Sequence, residues 1–211
     1  GPYFCQVEDR QYYALAESIP DGPTTRQMQD LAKETDMVLI VPIYEEDSPG
    51  IYYNTASVID ADGTYLGKYR KTHLSVHTRD DTIAKETDVF LSGNSLPVFR
   101  SRIGTIGMMI CKDGDLPEVP RTLAVNGAEI ILWMKYRGGV NREASTHYAK
   151  TNQAILVAAN RAEGDVSGGG SMIVEFAGRV VAGAEQGQTV VFASIDTDVM
   201  RSEREIHWKQ T

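Results

Sequence analysis

The chain has 211 residues, of which 42% are hydrophobic. This is enough for one domain with a sizeable core, and it differs from the composition of a disordered chain. The formal net charge of −8 argues against nucleic acid or an anionic membrane as the main partner, because both bind basic surfaces. Two cysteines are too few for a disulfide framework, and the sequence contains no signal peptide or long apolar span. We therefore predict a single cytoplasmic domain over residues 1–211.

The first part of the chain predicts two short helices and a meander of strands. An amphipathic helix is expected at residues 8–17, and a second helix, capped by Thr24 or Thr25, is expected to end at Glu34. Apolar or alternating stretches predict adjacent strands at residues 37–44, 51–60 and 65–70. Residues 71–94 are polar and poorly periodic, and a connection of this length is usually disordered or part of a site.

The rest of the chain alternates predicted strands with predicted helices. Helical spacing is found at residues 116–126 and 141–152, and a glycine-rich loop occupies residues 164–170. Strands are predicted at residues 96–99, 103–110, 128–133, 154–160, 171–176, 179–184 and 189–196. A charged tail is expected after the last strand. This mixed order predicts an α/β or α+β layered domain.

Cys111 lies where a buried strand is predicted to give way to a helix. At such a turn a thiol faces the positive end of the helix dipole and nearby backbone N–H groups, which lower its pKa and can bind a developing oxyanion. Taken alone, a single cysteine after an apolar strand is more often a small buried hydrophobic residue. A nucleophilic role therefore depends on what other residues accompany it.

A second feature is a basic stretch, GKYRKTH, at residues 67–73. It could be a solvated strand edge that discourages aggregation, or it could place a cation beside an acyl-transfer site, where it would stabilise a tetrahedral intermediate. Glu86 is a carboxylate of the type such a site needs, although by itself it is most simply a surface charge. His73 and His77 are too isolated to predict a metal site.

Several blocks of the sequence resemble the nitrilase, or carbon-nitrogen hydrolase, superfamily. GKYRKTHL and ICKDGDLPEVPRTLAVNGAEIIL are similar to its lysine and cysteine blocks, and YEEDSPGIYYNTASVIDADG, VAANR and GGGSMIVEFAGRVVA are similar to its flanking strands. The resemblance implies an α+β fold, a four-layer αββα sandwich. It also implies hydrolysis of nonpeptide C–N bonds by a Glu-Lys-Cys triad, without a metal or cofactor, in a homodimer or higher homo-oligomer.

When the roles of the family's residues are carried over to the matching positions, the resemblance implies a role for each site residue. Cys111 is the nucleophile, Lys71 is the cation at the oxyanion, and the backbone N–H of Lys112 is the second oxyanion donor. Glu86 resembles an additional active-site glutamate that positions the substrate and the lysine. Supporting structural roles are implied for Glu45, Asn54, Glu118 and Arg121.

The family's general base is a glutamate that precedes an aromatic, glycine-containing turn like Gly1-Pro2-Tyr3-Phe4. We therefore expect that the base, with the first strand, first helix and second strand of the fold, is missing from this sequence. A fragment of a longer gene would explain this, and so would a truncated pseudoenzyme. A noncatalytic binding or assembly protein is consequently the alternative to a hydrolase.

The substrate is a linear amide or an N-carbamoyl compound if the resemblance holds. GPYFC and IPDGPTT resemble the N-carbamoyl amidohydrolase branch, whereas CKDGDLPE is also similar to aliphatic amidases. Lys135 and Arg137 follow the strand after the cysteine helix, and near the mouth of the site they would favour a substrate that carries a carboxylate. An N-carbamoyl acid is therefore predicted in preference to a carbamoyl polyamine.

Overall fold

The computed structural model describes residues 10–79, 82–136, 139–162, 169–184 and 187–210. The chain divides into two compact units, of which the first ends at Ile103 and the second begins at Gly104. The helices are α1 (Pro23–Thr35), α2 (Glu118–Val125), α3 (Arg142–Asn152) and α4 (Thr197–Gln210). The strands are β1 (Leu39–Ser48), β2 (Ile51–Ile59), β3 (Tyr65–Arg70), β4 (Val76–Arg79), β5 (Thr82–Lys85), β6 (Val98–Ser101), β7 (Gly104–Ile110), β8 (Ile130–Lys135), β9 (Ile155–Asn160), β10 (Ser171–Val174) and β11 (Val180–Ala184). Among the described residues, no helix combines the length and the hydropathy that a membrane span requires.

The first unit is built on an antiparallel sheet with the strand order β1–β2–β3. Side chains alternate between the two faces of such a sheet, so residues two apart on a strand share a face. Ala56 and Tyr69 are register partners, and both are fully buried together with Val58. The meander predicted for residues 38–70 is therefore confirmed.

The start of α1 differs from the prediction. Thr24 and Thr25 do not cap this helix, because it begins at Pro23 with Gly22 as its N-cap residue. In the first turn it is Glu17 that accepts a free backbone N–H: its Oε2 accepts a hydrogen bond from the Thr24 N–H at 2.8 Å. A carboxylate from outside the helix thus supplies the cap that local sequence reasoning assigned to a threonine.

The polar connection after β3 has more structure than its sequence predicted. Residues 71–94 contain the β4–β5 hairpin and a short 3-10 turn at Glu86–Asp88. A strand of four residues carries too little alternation to be recognised by pattern. The amphipathic helix expected at residues 8–17 is a 3-10 helix at Arg10–Leu15 within the described part of this stretch.

A buried carboxylate links all three strands of this sheet. Glu45 is fully buried, and both of its oxygens accept hydrogen bonds: Oε2 from Arg70 Nε at 2.9 Å, and Oε1 from Arg70 Nη2 at 2.5 Å. Lys68 Nζ also bonds to Oε1, and Thr55 Oγ1 donates to Oε2 at 2.7 Å. Burial alone would raise the pKa of Glu45, but the hydrogen bonds from Arg70, Lys68 and Thr55 outweigh burial and hold the pKa below its ordinary value of 4.5. The supporting role implied for Glu45 is consistent with these contacts.

We expect Glu45→Gln to lower the free energy of unfolding by about 2–3 kcal/mol at pH 7, because Lys68 and Arg70 would lose their buried anion and keep only the exposed carboxylate of Asp47. The pKa of Glu45 is depressed on folding, so its stabilisation is complete above about pH 4.5 and is lost as the pH falls through the lower folded value. Urea titrations at pH 7, 5 and 3 should therefore converge for the two proteins at low pH. Glu205→Gln, which breaks an exposed ion pair with Lys209, serves as the control and should cost less than about 0.5 kcal/mol.

The second unit contains strands in the order β11–β10–β9–β8–β7. Strands β7, β8 and β9 are parallel, and α2 and α3 connect them in turn, as parallel strands require. Strands β10 and β11 extend the sheet as an antiparallel hairpin, which confirms the predicted hairpin about Ala177-Gly178. The mixture of antiparallel and parallel strands with helices confirms the α+β class.

The end of the chain corrects two expectations. Residues 189–196 alternate like a strand, but no neighbouring strand pairs with them in the described part of the chain, and Phe192 is 83% exposed. Residues with an alternating pattern form a β-strand only when a neighbouring strand accepts and donates their backbone hydrogen bonds. The charged tail is the helix α4, whose Arg204 donates to the carbonyl oxygens of Ala124 and Ala128 at 2.6 and 2.7 Å. This arginine therefore ties α4 to the end of α2 and to the turn that follows it.

Candidate active site

The nucleophile candidate lies on a strained turn between a strand and a helix. Cys111 directly follows β7 and begins a 3-10 turn, Cys111–Asp115, that leads into α2. Its φ of +49° lies in the left-handed region, where a residue with a Cβ is strained by about 1–3 kcal/mol. The side chain is partly exposed and is not in a disulfide. A strained strand-to-helix turn of this kind presents a nucleophile beside free backbone N–H groups.

Three residues that sequence reasoning did not single out hold this turn in place. Asp113 is fully buried, and its Oδ2 accepts the Ile110 N–H at 2.7 Å. Trp133 Nε1 donates to the Cys111 carbonyl oxygen at 3.0 Å, and the Tyr148 hydroxyl donates to the carbonyl oxygen of Gly114 at 3.2 Å. Asp113 belongs to the turn itself, whereas Trp133 lies on β8 and Tyr148 on α3, so only Asp113 could have been suspected from its spacing after the cysteine.

Gly114 is required by the packing of this turn. A Cβ built on Gly114 would lie 2.2 Å from the Trp133 ring, which is only 1% exposed and cannot move aside. The glycine therefore lets the indole approach the backbone closely enough to bond to the Cys111 carbonyl. This close approach is the physical reason for a glycine at position 114.

The first unit contains a buried ion pair between two of the predicted site residues. Lys71 Nζ lies 2.5 Å from Glu86 Oε2, and the two side chains are only 1% and 2% exposed. Ser75 completes the cluster, because its N–H donates to the same carboxylate oxygen at 2.6 Å and its Oγ lies 3.4 Å from the lysine. The structure thus brings Lys71 and Glu86 together, and Ser75 was not identified from the sequence.

The backbone fixes where this lysine is held. The Lys71 N–H donates to the Asn54 carbonyl oxygen at 2.8 Å, and the Lys71 carbonyl accepts the Gly93 N–H at 2.8 Å. The chain segments before and after the β4–β5 hairpin are therefore tied to the end of the sheet. A buried ammonium held in this way is preorganised to stabilise negative charge that develops near it.

The remaining predicted residues lie in the second unit or outside the described residues. Lys112 follows Cys111, and its exposed side chain lies 3.4 Å from an Asp115 carboxylate oxygen. Lys135 lies with its Nζ 4.6 Å from the centre of the Trp133 ring and donates to the Gly139 carbonyl at 3.2 Å. Arg137 lies outside the described residues. No group of three or more potential metal ligands of the His, Cys, Asp or Glu type occurs within the described ranges.

Comparison with known proteins places these features in a family. The family model described as carbon-nitrogen hydrolase matches residues 1–205. An N-carbamoylputrescine amidase of Solanum lycopersicum is 32% identical over 97% of this chain and 74% of its own length, and a citrullinase of Francisella tularensis is 28% identical over 98% and 77%. The crystal structure of a carbon-nitrogen hydrolase from Helicobacter pylori G27 superposes with a TM-score of 0.83 at 25% identity, covering 98% of this chain and 77% of that one. These matches confirm the nitrilase-type fold class, and the chain belongs to the carbon-nitrogen hydrolase family.

Proposed function

We propose that this protein hydrolyses a nonpeptide C–N bond in linear amides or N-carbamoyl compounds, through a thioester on Cys111 and with release of ammonia. The observation that carries the proposal is the strained turn at Cys111, which Asp113, Trp133 and Tyr148 hold from three directions. A structural cysteine would need neither the positive φ nor this bracing. Family membership and the amidase relatives support the same class of reaction.

In the proposed reaction the thiol proton passes to a carboxylate general base, which the family resemblance implies to be a glutamate. The sulfur lone pair forms a bond to the amide carbon while the carbonyl electron pair moves to oxygen. The Lys71 ammonium and the Lys112 backbone N–H bind that oxyanion. When the carbonyl re-forms, the C–N bond breaks, and the nitrogen takes a proton from the base and leaves as ammonia.

Water then completes the cycle by attacking the acyl-enzyme. The base removes a proton from this water, and the sulfur leaves as thiolate when the second tetrahedral intermediate collapses. Throughout, Glu86 holds the buried Lys71 side chain in place, since its Oε2 lies 2.5 Å from the lysine Nζ. In this role Glu86 positions the cation and is not the proton acceptor for Cys111.

Mass spectrometry of the acid-quenched reaction tests this proposal. A form of the protein that carries the glutamate base implied by the family resemblance is mixed with N-carbamoyl-β-alanine, N-carbamoylputrescine or a simple aliphatic amide, and ammonia release is followed in parallel. We expect ammonia and a transient acyl adduct on the peptide that contains Cys111. Ammonia release without an adduct, and with no effect of prior alkylation of the thiol, would contradict covalent catalysis. A folded protein that releases no ammonia from any of these compounds would favour the binding-protein alternative.

A further inference from the structure

The peptide unit that follows β7 joins the nucleophile to a donor of the proposed reaction. The carbonyl oxygen of Cys111 and the N–H of Lys112 belong to the same peptide bond, and that bond is trans, as almost all bonds that do not precede proline are. In a planar trans peptide the C=O and the N–H point in opposite directions. A group that fixes the direction of the Cys111 carbonyl therefore also fixes the direction of the Lys112 N–H.

The carbonyl of this peptide unit is held by a buried side chain of the neighbouring strand. Trp133 Nε1 donates to the Cys111 carbonyl oxygen at 3.0 Å, and the tryptophan is only 1% exposed. Trp133 lies on β8 between its register partners Met109 of β7 and Ala158 of β9, so the strand that carries it is paired on both sides. A donor in such a close-packed position has little freedom to move.

The N–H at the other end of the peptide unit is available for a ligand. Lys112 is the second residue of the 3-10 turn Cys111–Asp115, and the hydrogen bonds within such a turn begin only after its second residue. The buried indole occupies the carbonyl side, so the N–H is directed the opposite way. A carbonyl that accepts a hydrogen bond also polarises its amide, which strengthens the bond made by the N–H by about 10–30%.

We propose that Trp133 is a positioning residue for the oxyanion: by binding the Cys111 carbonyl, it directs and polarises the Lys112 N–H that receives the developing negative charge. This inference rests on the proposed function. The indole acts through the peptide bond and does not contact the reacting atoms. Trp133 therefore affects those reactions of Cys111 in which a carbonyl oxygen gains charge, and it leaves other reactions of the same thiol unchanged.

Two reagents distinguish these kinds of reaction at mildly alkaline pH. With p-nitrophenyl acetate, the thiolate sulfur bonds to the ester carbon, the carbonyl electron pair moves to oxygen, and p-nitrophenolate leaves when the carbonyl re-forms. With iodoacetamide, the same thiolate displaces iodide from a methylene carbon, and no oxyanion forms. Neither leaving group needs a proton. Mass spectrometry follows both adducts on the peptide that contains Cys111, because the chain has a second cysteine, Cys5.

Trp133→Phe removes the indole N–H and keeps an aromatic ring. We expect its rate of acylation by p-nitrophenyl acetate to fall about 10- to 100-fold, because an oxyanion donor that is no longer directed loses part of the effect of a missing donor. The rate of alkylation by iodoacetamide should stay within about threefold of the original value, with the same pH dependence, because the indole bonds to a carbonyl and not to the thiol.

A tryptophan analogue of the same shape tests the hydrogen bond without a change in packing. The chain has two tryptophans, so biosynthetic replacement of tryptophan by 3-benzothienylalanine in a Trp208→Phe background changes only position 133. This analogue has sulfur in place of the indole N–H. We expect the same selective loss of acylation as in Trp133→Phe, and the measurement stays informative if the smaller phenylalanine ring disturbs the fold.

Trp208→Phe alone is the matched control. It makes the same substitution at the other tryptophan, whose Nε1 has no hydrogen-bond partner among the described residues. Acylation and alkylation should both stay within about threefold of the rates of the unmodified protein. The inference is overturned if the benzothienyl protein loses acylation and alkylation equally, since that would indicate a structural role. It is also overturned if that protein is acylated at the rate of the Trp208→Phe control.

The same measurements separate this inference from the proposed reaction. If the form of the protein that carries the glutamate base releases no ammonia, but the Trp133 variants lose acylation selectively, the proposed hydrolysis fails and the positioning role of Trp133 stands. If ammonia is released and the Trp133 variants are acylated at the original rate, the hydrolysis stands and the positioning role fails.

Discussion

Replacement of Cys111 by alanine is expected to reduce ammonia release by a factor on the order of 10⁴ to 10⁶, because no covalent intermediate can then form. The free energy of unfolding should stay within about 1 kcal/mol of the unmodified protein. Alanine keeps the Cβ, so the strain at a φ of +49° is unchanged, and the lost thiol was only partly buried. Steady-state ammonia assays and urea denaturation of the same preparations measure both quantities.

Two further substitutions at this position act as controls. Cys111→Ser retains a hydroxyl of similar size, but that group is hardly ionised near neutral pH, so we expect a loss of rate nearly as large as for alanine. Cys111→Gly removes the Cβ and should raise the free energy of unfolding by about 1 kcal/mol, since glycine adopts positive φ without strain. An alanine variant that kept a tenth or more of the original rate would show that another residue is the nucleophile.

Lys71→Met is expected to have two separate large effects. Turnover should fall by about 10²–10³, the usual effect of removing one donor to an oxyanion. Stability should fall by about 3–5 kcal/mol, because Glu86 would remain buried with its carboxylate charge uncompensated. The Lys71 and Glu86 side chains are only 1% and 2% exposed. We therefore expect a loss of stability in the upper part of the range found for single substitutions.

The double variant Lys71→Met/Glu86→Gln distinguishes the two effects. Without either charge the cluster is neutral, and the Ser75 N–H can still donate to the amide oxygen of the introduced glutamine. We therefore expect most of the lost stability to return while turnover stays low. Urea denaturation and ammonia release on the unmodified protein and both variants complete the comparison. If the double variant recovered activity as well as stability, Lys71 would have only a structural role.

The sheets and helices near the site could largely be predicted from the sequence because their signals are local. Alternating and apolar runs identified the β1–β2–β3 meander, the strand before Cys111 and the β10–β11 hairpin. The helix predicted at residues 141–152 is α3, which Asn141 caps by accepting the Ala144 N–H with its side chain. The sequence predicts only a charged tail where α4 lies, because the contacts that dock this helix, such as Arg201 with Glu129, are made with residues far away in the chain.

By itself the sequence determined which residues are candidates for the chemistry and their order along the chain. Cys111 at the end of an apolar run, the lysine of the GKYRK block and Glu86 could be named because residue type and spacing are local properties, and family resemblance depends on them. No local pattern in the sequence predicts that Lys71 pairs with Glu86. The order of the strands cannot be predicted from a local pattern either.

Only the tertiary structure decided how those residues are held. The positive φ of Cys111, its bracing by Trp133 and Tyr148, and the burial of the Lys71–Glu86 pair depend on contacts between distant segments. The physical reason is that hydrogen bonding and desolvation depend on which groups meet in space, and one-dimensional spacing predicts this only within a single helix or strand.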